Sequence, residues 1–154
     1  MTIEDDIAFF ERVPTLNLLG APALRILAIG AENRYVHSGE VLFSAGDPAD
    51  GAYVVQEGRF SLSTQPAASE KDITVGPLTL LGELALVAET TRPVTATALE
   101  PSTVLRVPRS LFLKTLESFP DAARRLRDVI HTRSEQSAGD IHVVRGILEA
   151  RGSK

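Results

Sequence analysis

Residues 82–96 of this 154-residue chain read GELALVAETTRPVTA, and they are its most informative stretch. Between Gly82 and Glu89 no further turn residue occurs, and the Ala, Leu and Glu content favours a helix of one to two turns. Glu83 would lie in the first turn of that helix, and Arg92 follows nine residues later in a loop. The stretch therefore predicts a short helix that opens on a glycine and is followed by a loop arginine.

Glu83 and Arg92 together indicate the chemistry of a ligand. The unbonded amides and the positive dipole end at a helix N-terminus attract anions, and Gly82 lets a ligand approach the backbone closely. Arg92 would complete such a site with charge-assisted hydrogen bonds to phosphate oxygens. Because Glu83 would repel a bare phosphate, its presence indicates a ligand that also offers hydroxyl donors, such as a ribose. The structural alternative is a helix-start acid for Glu83 and a surface or ion-paired arginine for Arg92.

Short strands separated by glycine-rich turns surround this stretch from about residue 34 to residue 107. Apolar and aromatic residues mark the strands at 35–36, 41–43, 53–55, 60–62, 73–75, 94–99 and 104–107. About eight strands of this length indicate a sandwich or a jelly roll.

Helical patterns flank the strands on both sides. Residues 3–12 and 22–30 each predict a helix. After Pro108 the apolar residues return to helical spacing, and Pro120 restarts a helix. Whether the chain beyond Pro120 forms one long helix or two helices broken near Gly139 stays open.

The stretch resembles the phosphate-binding cassette of cyclic-nucleotide-binding domains, a family that includes catabolite activator proteins, the regulatory subunits of cAMP-dependent kinase and cyclic-nucleotide-gated channels. That cassette opens on Gly-Glu-Leu-Ala-Leu, places an arginine nine residues after the glutamate, and continues to a threonine. Residues 82–86, Arg92 and Thr95 match it. Four glycines also fall where the family places its turns: Gly39, Gly46, Gly51 and Gly58. The likeness covers roughly residues 5–135.

The resemblance implies an α+β fold: an eight-stranded antiparallel β jelly roll, or double-stranded β-helix, with N-terminal helices, a short cassette helix and C-terminal helices. We expect a single domain over residues 1–154. Its parts would be an N-terminal helical part (1–32), the jelly roll (33–107) and the C-terminal helices (108–154). Residues 82–96 are called the cassette from here on.

The resemblance also implies a ligand site in the cassette. Glu83 would accept a hydrogen bond from the ribose 2'-hydroxyl, and Arg92 would bind the exocyclic phosphate oxygens. The backbone amides of Leu84 and Ala85 would meet the cyclic phosphate. The expected ligand-binding residues are Gly82, Glu83, Leu84, Ala85, Arg92, Pro93 and Thr95. The ligand would be cAMP in preference to cGMP, with no metal and no other cofactor.

Pro93 departs from the family pattern. The residue after the arginine is usually Ala, Ser or Thr, whose amide helps to hold the phosphate, and proline has no amide hydrogen. A hydrogen bond to a charged group contributes about 1.5–3 kcal/mol, so its loss would weaken binding about tenfold or more. A threonine here is familiar in cGMP-selective members, so Pro93 favours cAMP. The alternative is a member of the fold that lost its ligand and acts as a protein-interaction module.

Composition argues against several other classes of protein. Without cysteine, disulfides and thiolate metal sites are excluded. The net charge of −4 argues against nucleic-acid binding, and no apolar run is long enough to cross a membrane. The acidic N-terminus is unlike a signal peptide, so we expect a cytoplasmic protein. Only His37 of the three histidines lies in the strand region, and no serine has a nucleophile setting, so we expect no enzyme.

The C-terminal helices are the expected output of the domain. Because the chain ends at Lys154 without room for a DNA-binding domain, we expect it to signal to an unidentified protein effector or to a domain that this sequence does not include. A first apolar set at helical spacing predicts either a homodimer seam or a cover for the sandwich: Phe119, Ala122, Leu126 and Val129. A second set favours the homodimer: Ile141, Val144, Ile147 and Leu148.

Overall fold

The computed structural model describes residues 2–64 and 72–137. Its N-terminal part contains α1 (Ile3–Phe10), a 3-10 helix (Leu16–Leu18) and α2 (Ala21–Gly30). Thr2 begins α1 through a capping box with Asp5, in which each side chain accepts a hydrogen bond from the other residue's backbone amide at 3.1 Å. The predicted N-terminal helices are confirmed, although the first ends at Phe10 rather than at residue 12.

Antiparallel strands form the middle of the chain. They are β1 (Glu32–Val36), β2 (Val41–Phe43), β3 (Pro48–Ala49), β4 (Gly51–Glu57), β5 (Phe60–Ser63), β6 (Ile73–Val75), β7 (Leu80–Leu81), β8 (Thr90–Thr91), β9 (Thr95–Ala98) and β10 (Ser102–Pro108). One four-stranded sheet has the order β1-β10-β4-β7, a second has the order β2-β9-β5-β6, and β3 pairs with β8. This arrangement of antiparallel sheets agrees with the predicted jelly roll.

The strand count differs from the predicted eight, because the described residues contain ten strands. β3 and β8 have two residues each and pair only with each other, through Pro48 with Thr91 and Ala49 with Thr90. β7 also has two residues, and it pairs with β4. A two-residue strand is too short to show an alternating hydrophobic pattern, so the sequence did not reveal these three.

Helices interrupt and follow the strands. The cassette helix (Glu83–Leu86) lies between β7 and β8 and is a four-residue 3-10 helix, at the lower end of the predicted length. α3 (Arg109–Ser118) begins directly after β10, and α4 (Pro120–Ser137) follows it. Whether this helix is broken near Gly139, which the sequence leaves open, falls outside the described residues.

Two apolar clusters hold these elements together. One fills the space between the two large sheets and includes Phe43, Phe60, Leu62, Leu81 and Val94. The other lies between the outer face of the first sheet and the helices, and it includes Phe10, Leu24, Leu27, Leu105 and Phe112. β4 alternates between them: Tyr53 and Val55 belong to the first cluster, whereas Ala52 and Val54 belong to the second.

α4 packs on its own domain through part of the predicted dimer seam. Ala122 is 1% exposed and Leu126 is 3% exposed within the single chain, and Phe119 packs against the same cluster. These residues therefore cover the helical side of the sandwich, which was the alternative to a seam. The second apolar set lies outside the described residues, and the homodimer stays a prediction.

Candidate functional site

Gly82 sets the geometry of the cassette where β7 ends. Its backbone adopts φ +85° and ψ 37°, the left-handed region that residues with a Cβ rarely enter. The guanidinium of Arg92 lies directly against it, so a Cβ at position 82 would collide with Nη1. A side chain here would have to displace the end of the Arg92 side chain, and the backbone conformation itself favours glycine.

The backbone of Arg92 is fixed beside the turn that contains Gly46. The Arg92 amide donates to the Asp47 carbonyl at 2.8 Å, and the Gly46 amide donates to the Arg92 carbonyl at 2.7 Å. The pairing of β3 with β8 continues this contact on the N-terminal side of Arg92. Held in this way, the Arg92 side chain enters the space between the two large sheets, where the residue is 4% exposed.

Inside that space the guanidinium of Arg92 is surrounded by aromatic rings. Its Cζ lies 4.5 Å from the centre of the Phe43 ring and 5.5 Å from the centre of the Tyr53 ring. Nη2 donates to the Gly51 carbonyl at 2.8 Å, whereas the buried Nη1 has no hydrogen-bond partner among the described residues. Burial lowers the pKa of Arg92 from its ordinary value because the charged form is poorly solvated there. Such a guanidinium is suited to binding an anion.

Glu83 is half-buried at the start of the cassette helix and contacts the N-terminal part of the chain. Its Oε2 accepts a hydrogen bond from Oγ1 of Thr15 at 2.9 Å. Thr15 precedes the N-terminal 3-10 helix, so this bond joins the cassette to a segment 68 residues earlier. The two charged residues of the predicted site are therefore held by different parts of the fold: Arg92 by the sheets, and Glu83 by the N-terminal part.

A small cavity lies between the cassette helix and the loop that carries Arg92. It is lined by Gly82, Leu84, Ala85, Arg92 and Pro93, together with Ala49, Thr90 and Thr91. Five of the predicted site residues thus meet at one cavity. Its volume of about 10 Å³ is roughly the least that holds one water molecule. The cavity in its present arrangement therefore holds at most a small part of a nucleotide.

Two of the predicted contacts are engaged in the fold itself. The Ala85 amide donates to the Gly82 carbonyl at 2.9 Å within the 3-10 helix. The Thr95 hydroxyl accepts a hydrogen bond from the Ala45 amide at 2.9 Å and so stabilises the neighbouring turn. The Thr95 hydroxyl is an acceptor in this bond and still has its own hydrogen to donate. The Ala85 amide would meet a phosphate only by sharing or breaking its present bond.

Arg109 holds the cassette in place, although the sequence did not single it out. Its Nη1 lies 3.0, 3.2 and 2.9 Å from the carbonyl oxygens of Ala49, Ala85 and Ala88, and its two hydrogens are shared among these three acceptors. These carbonyls belong to β3 and to the C-terminal side of the cassette helix, so the first residue of α3 is tied to the cassette. A lone arginine after Pro108 has no distinguishing spacing, and only its tertiary contacts reveal this role.

The comparison with known proteins identifies the family. The chain matches the family model of the cyclic nucleotide-binding domain over residues 33–119. It belongs to this family. A cyclic nucleotide-binding-like protein from Brucella abortus is 37% identical with a TM-score of 0.65, and the match covers 73% of this chain and 98% of that one. The N-terminal domain of a transcriptional regulator from Streptomyces coelicolor is 29% identical with a TM-score of 0.77, covering 86% and 94%.

This chain also matches a small part of a much longer curated relative. A lysophospholipase from Aspergillus oryzae is 30% identical over 117 residues, which is 68% of this chain but 8% of that enzyme. The likeness concerns this small part of the enzyme. Together with the two solved structures, the family match supports a nucleotide-binding regulatory module.

Neither a metal site nor a membrane span is found in the described part of the chain. Within residues 2–64 and 72–137, no three His, Asp or Glu side chains are grouped so that they could hold a metal ion. No helix there has the length and apolar character needed to cross a bilayer.

Proposed function

We propose that this cyclic nucleotide-binding domain binds cAMP at the cassette and regulates a protein effector in the cytoplasm, without catalytic activity of its own. The observation that carries this proposal is the buried guanidinium of Arg92, which lines the cassette cavity and whose Nη1 lacks a partner among the described residues. Leaving a buried donor unsatisfied is unfavourable by about 1–3 kcal/mol, and more for a charged group. An exocyclic phosphate oxygen would both satisfy and neutralise it.

The remaining cassette residues are proposed to bind the rest of the nucleotide. Gly82 would allow close approach, Glu83 would accept the ribose 2'-hydroxyl hydrogen, and the Leu84 amide would meet the phosphate. Pro93 offers no amide and the Ala85 amide is already bonded, so this site has fewer donors than the family pattern and its affinity should be modest. Pro93 also lacks the hydroxyl of cGMP-selective members, which favours cAMP over cGMP.

Binding would act by moving the cassette. The present cavity of about 10 Å³ holds at most a small part of a nucleotide, so we expect cAMP to stabilise an arrangement in which the cassette helix is displaced. Arg109 ties that helix to α3 through the carbonyls of Ala85 and Ala88. Displacement of the cassette helix would therefore be passed to α3 and on to α4, where an effector would detect it. The apparent affinity for cAMP is then limited by the fraction of molecules in which the cassette helix is displaced.

A second candidate is a protein-interaction module that binds no nucleotide. Pro93 favours it because it removes a phosphate donor, and the small cavity favours it as well. Against it stands the unpartnered Nη1 of Arg92, which would then be an uncompensated cost to stability.

Thermal unfolding at increasing cAMP concentrations separates the two candidates. A ligand that binds the native state stabilises it by about 2.7 kcal/mol at 100 times its Kd, so we expect Tm to rise with cAMP. Linear 5'-AMP serves as the ligand control. No rise with millimolar cAMP or cGMP would refute the proposal and favour the interaction module.

Variants of the two charged residues test their assigned roles in cAMP binding. Arg92→Ala should lower the cAMP affinity more than Glu83→Ala, because Arg92 would meet a full negative charge and Glu83 a neutral hydroxyl. Arg59→Ala is the matched control, since Arg59 is an exposed arginine paired with Glu100. Equal or reversed losses in folded variants would show that the roles are wrong.

A further inference from the structure

Thr15 is buried in a strained backbone conformation, although the sequence placed it in no site. The residue is 4% exposed, and its φ of +80° with ψ of −53° is a combination that β-branched residues rarely adopt. Strain of this kind persists only where the surrounding structure enforces it, and it occurs often at functional sites. At Thr15 the strained backbone accompanies the hydrogen bond from Oγ1 to Oε2 of Glu83 at 2.9 Å.

The 3-10 helix that follows Thr15 is anchored at its other end by α4. Arg125 donates from Nε to the Leu18 carbonyl at 2.7 Å and from Nη2 to the Leu19 carbonyl at 3.3 Å. Carbonyls at the C-terminal end of a helix bind cations favourably. The helix Leu16–Leu18 therefore lies between two polar contacts, one to the cassette acid and one to α4.

From these contacts we infer that Thr15 is a positioning residue of the ligand site, which holds the Glu83 carboxylate ready for a ribose hydroxyl and connects it through the N-terminal 3-10 helix to α4. A carboxylate accepts several hydrogen bonds at once, so Thr15 and a ligand can bind Glu83 together. A carboxylate that is oriented beforehand loses less conformational freedom on binding. The inference rests on the proposed function, because it requires Glu83 to contact the ligand.

Two substitutions of Thr15 isolate the hydroxyl from the backbone strain. Valine keeps the β-branched shape and so the strain, but it has no hydroxyl, whereas serine keeps the hydroxyl. In calorimetric titrations of the full chain with cAMP, Thr15→Val should raise Kd about two- to tenfold, and Thr15→Ser should stay near the wild-type value. In a Glu83→Ala background, Thr15→Val should have no further effect. A Kd that is unchanged or lower in Thr15→Val, or an additive loss in that background, overturns the inference.

Amide exchange in α4 tests whether Glu83 and Thr15 are connected to this helix. At equal occupancy by cAMP, the amide exchange of residues 120–129 should change in the wild type and in Thr15→Ser, and it should change less in Thr15→Val. Equal changes in all three proteins would overturn the connection through the 3-10 helix.

A double-mutant cycle in the absence of ligand tests the contact without reference to cAMP. Urea unfolding of the wild type, Thr15→Val, Glu83→Ala and the double variant should show coupling of about tenfold or more in the unfolding constant. Additive losses together with a normal cAMP response overturn the positioning role alone. Coupling together with no response of the wild type to millimolar cAMP overturns the proposed function, and the positioning role falls with it.

Discussion

The guanidinium of Arg92 is held between Phe43 and Tyr53, with one hydrogen bond to the Gly51 carbonyl and a buried Nη1 that has no partner within the described residues. Removing a guanidinium from water is unfavourable by several kcal/mol. The hydrogen bond to the Gly51 carbonyl offsets about 1.5–3 kcal/mol of this penalty, and the contacts with the two rings offset about 0.5–2 kcal/mol. At this residue the fold therefore gains little or nothing in stability from the positive charge, although a ligand would gain from it.

Arg92→Met should accordingly separate stability from binding. Methionine fills the space between the rings without a charge, so we expect the free energy of unfolding to stay within about 1 kcal/mol of the wild type or to rise. The stabilisation by cAMP should disappear. Urea unfolding with and without cAMP measures both quantities, and Leu62→Ala in the same cluster should lose about 2–5 kcal/mol as a packing control. A loss above about 2 kcal/mol in Arg92→Met would contradict the expected balance.

Gly82 and Gly39 provide a matched pair of glycine positions. Both have positive φ, +85° and +84°, but a Cβ at Gly82 would strike Arg92, whereas a Cβ at Gly39 would meet nothing within 4 Å. Gly39→Ala should lose about 1–2 kcal/mol from backbone strain alone. Gly82→Ala should lose about 1–3 kcal/mol more, because the guanidinium must shift. Similar losses in urea unfolding would mean that the contact of Gly82 with Arg92 does not constrain the cassette.

At the scale of single elements, the cassette helix is too short to be stable by its own hydrogen bonds. It has four residues, Glu83–Leu86, and it depends on contacts at both ends. Thr15 binds the acid at its start, and Arg109 binds the Ala85 and Ala88 carbonyls at its end. Two elements distant in sequence therefore define the position of this helix.

Arg109→Met tests the second of these contacts. It should lower the free energy of unfolding by about 1–3 kcal/mol, because three carbonyls lose a charged donor, and amide exchange should accelerate in residues 85–89. Arg106→Met is the control, since Arg106 pairs at the surface with the exposed acids Glu32 and Asp50. Such pairs contribute about 0–1 kcal/mol. Equal effects of the two substitutions would show that Arg109 does not support the cassette.

At the scale of the whole molecule, Leu126 distinguishes packing of α4 on its own domain from packing in a homodimer. It is 3% exposed and belongs to the cluster between the first sheet and the helices of the same chain. Leu126→Ala should therefore lose about 2–5 kcal/mol of stability, and this loss should be independent of protein concentration. A loss that changes with concentration would indicate that Leu126 contributes to a homodimer seam. Light scattering at micromolar concentration tests the homodimer itself.

Local patterns were enough to predict the framework of the molecule. Helical spacing predicted α1 and α2, and alternation and glycine turns predicted β4 and β5. The resemblance of the cassette to a known motif predicted seven site residues, five of which line one cavity. These features depend on residues close together in the chain, where the periods of helices and strands and the conformational freedom of glycine act directly.

Only the tertiary structure showed which partners each side chain has. Glu83 binds Thr15 across 68 residues, Arg109 binds Ala49 across 60, and Arg125 binds Leu18 across 107. The burial of Arg92 between two rings was invisible in the pattern, and the pattern left open whether Leu126 covers the sandwich or belongs to a homodimer seam. Each of these contacts joins elements that meet only after the sheets and helices have packed, and no local period in a sequence encodes which distant carbonyl or carboxylate a side chain will reach.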